Sequence, residues 1–186
     1  LIKGISSHDR QFRKGDWRRP INNSVNNLFR PPNLLSGKSI GFIGYGEIAK
    51  KLKNLLSVFG TENFAIKMDI NTVEDENVNV LGGLDNLNLI MRKSDIIFVS
   101  LPLTKSTKNV INRKVLLNMK PESFLVSISR MEVFVESDLF DILSKDQISG
   151  AAFDCWPNNP VNGNKILPSD NFKFHALDNI LLSPHR

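Results

Sequence analysis

Disulfide-forming cysteine pairs and long apolar runs are both missing from this sequence. Cys155 is the only cysteine, so no internal disulfide can form, and a reducing compartment such as the cytoplasm is the expected location. No stretch is apolar enough to span a bilayer, and Lys3 interrupts the apolar run at the N-terminus, where a signal peptide would need one. The sequence therefore favours a cytoplasmic protein that does not associate with membranes.

Acidic residues are scarcer than basic ones, with 19 Asp and Glu against 24 Lys and Arg and a formal net charge of +5. Much of the positive charge lies early in the chain, at Arg10, Arg13, Lys14, Arg18, Arg19 and Arg30. Asp9 and Asp16 interrupt this basic segment, and no recognised nucleic-acid module follows it. We therefore expect a solvated helix face or a partner surface, with no nucleic acid bound. No metal site is expected.

The length and composition suit one globular domain with an appendage. The 186 residues are 41% hydrophobic and 23% charged, which is enough for a substantial core. The segment from Arg19 to Ser36 is rich in Pro and Asn, which predicts an extended linker, and the residues before it read as the end of a helix. The predicted organisation is a helix and linker over residues 1–36 and a domain over residues 37–186.

A glycine turn between an apolar run and a helical pattern is the most informative stretch. Residues 39–52 read SIGFIGYGEIAKKL, which predicts a strand, a tight turn and a helix. Gly44 can adopt the backbone angles of the turn, and Gly46 would let a diphosphate approach the main chain. Small Ala49 lets the helix lie close to the strand. The apolar face predicted for this helix comprises Ile48, Leu52, Leu55, Leu56 and Phe59.

The start of this predicted helix is suited to negative charge. The backbone N–H groups around Glu47 and Ile48 have no acceptors within the helix, and the helix dipole favours anions there. We therefore expect the turn to bind the phosphates of a nucleotide.

Strand and helix patterns alternate along the rest of the chain. Apolar runs predict further strands at residues 64–68, 95–100, 123–129, 149–153 and 179–183. Helical patterns fall between them, near residues 84–94, 112–118 and 136–143, while residues 73–83 are polar and expected to be irregular. This alternation predicts an α/β fold, a Rossmann-type doubly wound parallel sheet with helices on both faces. Ligands of such sheets bind beyond the carboxyl ends of the strands.

Five blocks at the predicted strand ends carry a family resemblance. They read GYGEIA, SLPLTKST, NMKPESFLVSISR, GAAFDCWPNNP and NILLSPHR. Their order and spacing resemble the D-isomer-specific 2-hydroxyacid dehydrogenases, of the phosphoglycerate dehydrogenase-like kind, over nearly the whole chain. The resemblance implies that hydride passes between NAD and a small 2-hydroxy or 2-keto acid.

The resemblance also implies roles for individual residues. Arg130, at a strand end where a guanidinium could bind a carboxylate through two N–H bonds, matches the family's substrate-carboxylate residue. His185 matches the residue that exchanges a proton with the substrate oxygen, a role that suits imidazole. The expected cofactor contacts are Gly44, Gly46, Glu47 and Ile48 at the diphosphate, Asp69 at the ribose, Leu101, Pro102 and Thr107 on the adenosine side, and Ile128, Ser129, Arg130, Asp154 and His185 near the nicotinamide.

The choice between NAD and NADP depends on the end of the second strand. Asp69 has the chemistry to bind the ribose hydroxyls, which favours NAD. The spacing of similar sequences instead places Lys67 there, which would tolerate a 2′-phosphate and NADP. Asp69 and NAD are the preferred interpretation, and the alternative stays open.

Two residues depart from the family pattern. Many members carry a Glu that pairs with the catalytic His and raises its pKa, whereas this chain has Asn159 at that position. A lower His185 pKa or a weaker enzyme is expected, although Trp156 and the block FHALDN resemble a branch of the family that also lacks this Glu. Met131 follows Arg130 where the family usually has Gly.

The family's substrate-binding domain has no counterpart in this sequence. We therefore expect the chain to be the NAD-binding domain of a longer protein, able to bind the cofactor but inactive by itself. A homodimer through residues 1–30 is a further expectation. The alternative hypothesis is a non-catalytic NAD(H)-sensing interaction module, as in dehydrogenase-like corepressors.

Overall fold

The computed structural model describes residues 5–16, 34–67, 75, 77–158 and 166–184. The strands are β1 (Ser39–Ile43), β2 (Glu62–Ile66), β3 (Asn79–Gly82), β4 (Ile96–Val99), β5 (Phe124–Ser127), β6 (Gly150–Phe153) and β7 (Ile180–Leu182). The α-helices are α1 (Ile5–Arg13), α2 (Glu47–Leu56), α3 (Leu87–Lys93), α4 (Arg113–Leu116) and α5 (Glu136–Ser144). Within the described ranges, no helix is long and apolar enough to cross a membrane.

The seven strands form one parallel sheet in the order β3-β2-β1-β4-β5-β6-β7. The chain winds outward from β1 to β3 and then continues on the other side of β1 from β4 to β7. The strand order therefore reverses between β1 and β4, and in sheets of this kind the ligand crevice lies at that point. This topology confirms the predicted doubly wound parallel sheet.

The core lies on both faces of the sheet, which is why β1 reads as an apolar run buried at all five positions. Ile40 and Phe42 of β1 belong to the cluster under α2. Ile43 belongs to the larger cluster on the opposite face, to which α3, α4 and α5 contribute. The alternation of side chains along β1 thus joins the two halves of the core.

The expectation of irregular structure at residues 73–83 was wrong for its last part, because Asn79–Gly82 form β3. Phe64 of β2 pairs with Asn79, and Ala65 pairs with Val80. β3 is the edge strand of the sheet and none of its residues is fully buried, so it lacks the apolar pattern by which central strands are recognised. Residues 73, 74 and 76 lie outside the described ranges.

The buried face of α2 also differs from the predicted one. Three of the five predicted positions are exposed: Ile48, Leu55 and Phe59. The buried residues of the helix are Ala49, Lys53 and Leu56. A lysine can occupy this face because its ammonium group binds the carboxylate of Asp75 at 2.7 Å, so the buried charge is paired.

The first 36 residues are described only in part. Helix α1 lies within the segment predicted to be helical, and its Arg10 Nη2 lies 3.4 Å from Oδ1 of Asp178 in the domain. The Pro- and Asn-rich linker falls mostly on residues 17–33, outside the described ranges. The boundary at residue 36 therefore stays a prediction.

Candidate cofactor site

Gly44 occupies a turn that only glycine fits well. Its φ is +91°, and a Cβ at this position would lie 2.9 Å from the carbonyl oxygen of Ser100. Its N–H donates to the Ile66 carbonyl at 3.0 Å, and its own carbonyl accepts from the Ser100 hydroxyl at 2.9 Å. The turn is therefore fixed to the ends of both strands beside β1. Ser100 was missed as a site residue, because in the sequence it is only a polar residue after a strand.

Gly46, at the start of α2, leaves space in front of the helix. Its backbone is extended, and a Cβ there would meet no described atom within 4 Å. The first bond of the helix runs from Lys50 N–H to the Gly46 carbonyl at 3.0 Å. The N–H groups of Glu47, Ile48 and Ala49 consequently have no acceptor within the helix. This arrangement suits a diphosphate that approaches the main chain closely.

Three hydrogen-bonded polar side chains support the glycine turn from inside the protein. Tyr45 is 1% exposed, and its hydroxyl donates to Asp75 Oδ2 at 2.6 Å, while Lys53 Nζ donates to Asp75 Oδ1 at 2.7 Å. Burial and the bond to Asp75 raise the pKa of Tyr45. Burial also acts to raise the pKa of Asp75, but the bonds from Lys53 and Tyr45 outweigh it and the pKa is lowered. A protonated phenol and an ionised carboxylate therefore anchor the turn. No local pattern signals this contact, because Asp75 lies far from both partners along the chain.

The loop after β4 carries the residues expected on the adenosine side. Leu101 is buried, and Pro102 is exposed at the carboxyl end of the strand. Thr107 is fully buried, with its hydroxyl donating to the Pro102 carbonyl at 2.6 Å and accepting from the Thr104 N–H at 2.8 Å. The hydrogen bonds of Thr107 therefore fix the conformation of the loop, and Pro102 provides its solvent-exposed surface.

The two candidates for cofactor choice are only partly described. Lys67 follows β2, and its N–H donates to the Gly82 carbonyl at 2.9 Å, extending the ladder to β3. Asp69 lies outside the described residues. The preference for Asp69 over Lys67 stays a prediction.

The end of β5 is tied to the loop after β4. The buried hydroxyl of Ser129 donates to the Leu101 carbonyl, and the N–H of Ile128 donates to the Val99 carbonyl at 3.2 Å. The side chain of Ile128 is 44% exposed. Ser129 thus holds two strand ends together, while Ile128 offers apolar surface at the sheet edge.

Arg130 extends from this strand end into solvent. Its Nη1 donates to the Ser129 carbonyl at 3.1 Å, and it forms no ion pair with another described residue. Met131 after it needs no left-handed backbone, since the positive-φ non-glycine residues described are Asn109 and Asp146. The Met131 side chain is 3% exposed and packs in the core. The substitution of the family's Gly is therefore accommodated by burial.

Asp154 lies at the end of β6, beside the end of β7. Its Oδ1 accepts from the Ser183 hydroxyl, and its N–H donates to the Ser127 carbonyl at 3.0 Å. Trp156 Nε1 donates to the Ser183 carbonyl at 3.0 Å. The predicted residues Asn159 and His185 lie outside the described ranges, His185 two positions after Ser183.

The fold and the turn together define a dinucleotide-binding domain. The sheet brings Gly44, Leu101, Arg130 and Asp154 to the carboxyl ends of four adjacent strands, β1, β4, β5 and β6. Among the described residues, no group of three His, Cys, Asp or Glu side chains is placed to hold a metal ion.

The chain belongs to the D-isomer specific 2-hydroxyacid dehydrogenases: residues 1–186 match the family described as "D-isomer specific 2-hydroxyacid dehydrogenase, NAD binding domain". The matched domain is an NAD-binding domain, so the cofactor is a nicotinamide dinucleotide, and the preference for NAD over NADP stays a prediction. Both findings confirm the resemblance seen in the sequence.

Relatives that are named as enzymes match over the whole chain or nearly all of it. It is 29% identical over 188 residues to D-3-phosphoglycerate dehydrogenase of Escherichia coli, covering 42% of that protein. It is 33% identical over 186 residues to glyoxylate reductase of Thermofilum pendens, covering 51% of it. The crystal structure of D-lactate dehydrogenase with NAD+ from Lactobacillus jensenii matches with a TM-score of 0.81 and 26% identity, over 98% of this chain and 54% of that one. The chain thus spans about half the length of the relatives that it matches.

Proposed function

We propose that this chain is the cofactor half of an enzyme that transfers hydride between C2 of a 2-hydroxy acid and NAD. Oxidation of the hydroxy acid passes hydride to NAD+ and a proton to a base, giving the 2-keto acid and NADH. The main support is the glycine turn, which lies where the strand order reverses. The first N–H groups of α2, after Gly46, have no acceptor within the helix. The names of the relatives support the substrate class, since 3-phosphoglycerate is a 2-hydroxy acid and glyoxylate a 2-keto acid.

Within this function, Arg130 binds the substrate carboxylate. The exposed guanidinium at the carboxyl end of β5, without a carboxylate partner among the described residues, supports this role. His185 serves as the acid and base, and Asn159 takes the position of the usual Glu, so we expect a lower His185 pKa than in relatives with the Glu. Asp69 binds the ribose hydroxyls.

Cofactor binding is tested on the 186-residue chain by titration with NADH. Excitation of tryptophan should give energy transfer to bound NADH, since Trp156 lies two residues after Asp154, which is expected near the nicotinamide. A parallel titration with NADPH tests the choice of cofactor: weaker NADPH binding supports Asp69, and equal or stronger binding supports Lys67. A folded chain that binds neither at millimolar concentration would refute the cofactor role.

The reaction is tested on a longer protein that contains this chain and a substrate-binding domain. Such a protein should oxidise NADH with glyoxylate or hydroxypyruvate, whereas the 186-residue chain alone should show negligible turnover. Arg130→Ala should abolish turnover, because the lost guanidinium contacts the substrate carboxylate. Arg92→Ala is the matched control, because Arg92 lies in α3 and donates to Asn118 at 2.7 Å, away from this edge. Unchanged turnover in Arg130→Ala would exclude the assigned role.

Three other expectations remain part of the proposal. Residues 1–36 form the interdomain helix and linker and residues 37–186 the NAD-binding domain, which limited proteolysis would test. A homodimer through residues 1–30 is tested by sedimentation, and a cytoplasmic location by cell fractionation. The non-catalytic sensing module is not favoured, because the relatives that cover the whole chain are named as dehydrogenases and reductases.

A further inference from the structure

Ser183 is bonded through three of its groups to three residues at the end of β6. Its N–H donates to the Phe153 carbonyl at 2.9 Å, its hydroxyl donates to Asp154 Oδ1, and its carbonyl accepts from Trp156 Nε1 at 3.0 Å. The N–H bond extends the ladder between β6 and β7. The other two bonds involve side chains and lie beyond the last paired residues. Both go beyond what pairing of the two strands requires.

The indole side of this contact is itself fixed by packing. The ring of Trp156 lies 5.5 Å from that of Phe174 and 5.9 Å from that of Phe153, measured between centroids. Phe174 is fully buried, and Phe153 is 1% exposed. The Ser183 carbonyl is therefore bonded to an indole ring that is fixed by aromatic packing, and the Ser183 hydroxyl donates to Asp154.

We propose that Ser183 is a positioning residue for the nicotinamide half of the cofactor, acting through the carboxylate of Asp154. This inference rests on the proposed function and on the place near the nicotinamide that the family resemblance implies for Asp154, where its carboxylate would accept a hydrogen bond from the carboxamide NH₂ group of NAD. A carboxylate offers several acceptor positions on its two oxygens, so it can accept from the Ser183 hydroxyl and from a ligand at the same time. The bond fixes the rotation of the carboxylate before the cofactor arrives, which reduces the entropy lost on binding.

The role predicts an effect confined to one half of the dinucleotide. ADP-ribose contains the adenosine and diphosphate of NAD but no nicotinamide, so it does not use Asp154. In the 186-residue chain, Ser183→Ala should weaken NADH binding about tenfold and change ADP-ribose binding less than about twofold. Ser183→Thr keeps the hydroxyl and should restore NADH affinity. Both affinities are measured by calorimetry at a temperature where circular dichroism shows the variant to be folded.

A double-mutant cycle tests whether Ser183 acts through Asp154. In the background of Asp154→Ala, Ser183→Ala should cause no further loss of NADH affinity. Ser149→Ala is the matched control, since that hydroxyl bonds the Pro121 carbonyl at 3.3 Å before β6 and lies at the opposite end of the strand. If Ser183→Ala does not fold, Ser183→Cys keeps the size with only a weak donor and carries the same expectation.

The outcomes separate this inference from the proposed function. If the unmodified chain binds neither NADH nor ADP-ribose, the proposed function fails and the inference fails with it. If it binds both, but Ser183→Ala weakens both equally or neither, the cofactor role stands and the positioning role of Ser183 is refuted. Additive losses in the double-mutant cycle would likewise refute action through Asp154.

Discussion

The two ends of the sheet use polar residues in opposite ways. At the amino end, Asp95 precedes β4, Ser39 begins β1 and Lys120 lies before β5. Lys120 Nζ donates to Asp95 Oδ1 at 2.8 Å, and the Ser39 N–H donates to Asp95 Oδ2 at 2.9 Å. Burial acts to raise the pKa of Asp95, but these bonds outweigh it and lower the pKa. The charged groups of this end bind one another.

At the carboxyl end, by contrast, two sets of donor groups have no charged partner among the described side chains. The N–H groups behind Gly46 have no acceptor within α2, and the guanidinium of Arg130 has no carboxylate partner among the described side chains. The bonds that do form here, such as Ser100 to Gly44 and Ser129 to Leu101, fix the backbone. We infer that substitutions at the amino end cost stability, whereas those that affect these donor groups at the carboxyl end cost affinity.

Gly44→Ala should be the largest exception to this division between stability and affinity. Gly44 lies at the carboxyl end, where the cofactor is expected, yet its substitution should lower stability. The φ of +91° and the clash with the Ser100 carbonyl should together cost about 3 kcal/mol of unfolding free energy. Urea unfolding followed by circular dichroism measures the loss. Gly37→Ala is the control, since Gly37 has a φ of +70° but no described atom within 4 Å of its Cβ position, so it should lose only about 1 kcal/mol. Equal losses would mean that strain alone, without the clash, explains Gly44.

Gly46→Ala should sharpen the division, with affinity lost and stability kept. The new methyl group meets no described protein atom but would occupy the space in which the diphosphate approaches. NADH affinity should fall roughly a hundredfold, or ~2.7 kcal/mol, while the urea midpoint hardly moves. Gly83→Ala is a close control, because Gly83 has nearly the same backbone angles and also has open space at its Cβ position. A similar small effect of both variants on NADH binding would contradict the site.

Asp95→Ala should show the reverse behaviour. It leaves the ammonium group of Lys120 and the N–H of Ser39 without their acceptor, which should cost about 2 kcal/mol of stability in this partly exposed position. NADH affinity should not change, because the length of β4 separates Asp95 from the crevice. Glu122→Ala, which removes an exposed carboxylate from the same region, is the control. Loss of NADH affinity at a temperature where the variant is folded would show that the two ends are coupled.

The sequence predicted local features better than contacts between residues that are distant in the chain. The glycine turn is a local pattern, in which residues 44–49 carry the geometry, and β1 has the apolar run of a central strand, so both were predicted correctly. The bonds of Asp95 to Ser39 and of Asp75 to Lys53 join residues distant in the chain, and no local pattern signals them. β3 was missed because an edge strand needs no apolar face. The exposure of Ile48 and Leu55 was missed for a similar reason. An apolar pattern does not show that another face of the helix will be buried because a lysine on it pairs with a distant carboxylate.

The smallest effect expected is on the acid dependence of stability, and it tests whether the amino end contributes through charge. Because the folded-state pKa of Asp95 lies below its ordinary value of 3.8, the stabilisation is present above that value and is lost as the pH falls through the folded-state pKa. Asp95→Asn removes this titration, so between pH 5 and pH 3 its unfolding free energy should fall less than that of the unmodified chain, by about 0.5 kcal/mol once solvent screening is considered. Lys120→Met should also make the unfolding free energy fall less at low pH, since the ammonium group is the strongest influence that lowers the Asp95 pKa. Urea midpoints at several pH values measure both variants. If the unfolding free energy of both variants falls with pH as steeply as that of the unmodified chain, hydrogen bonds, and not charge, account for the stability of this end.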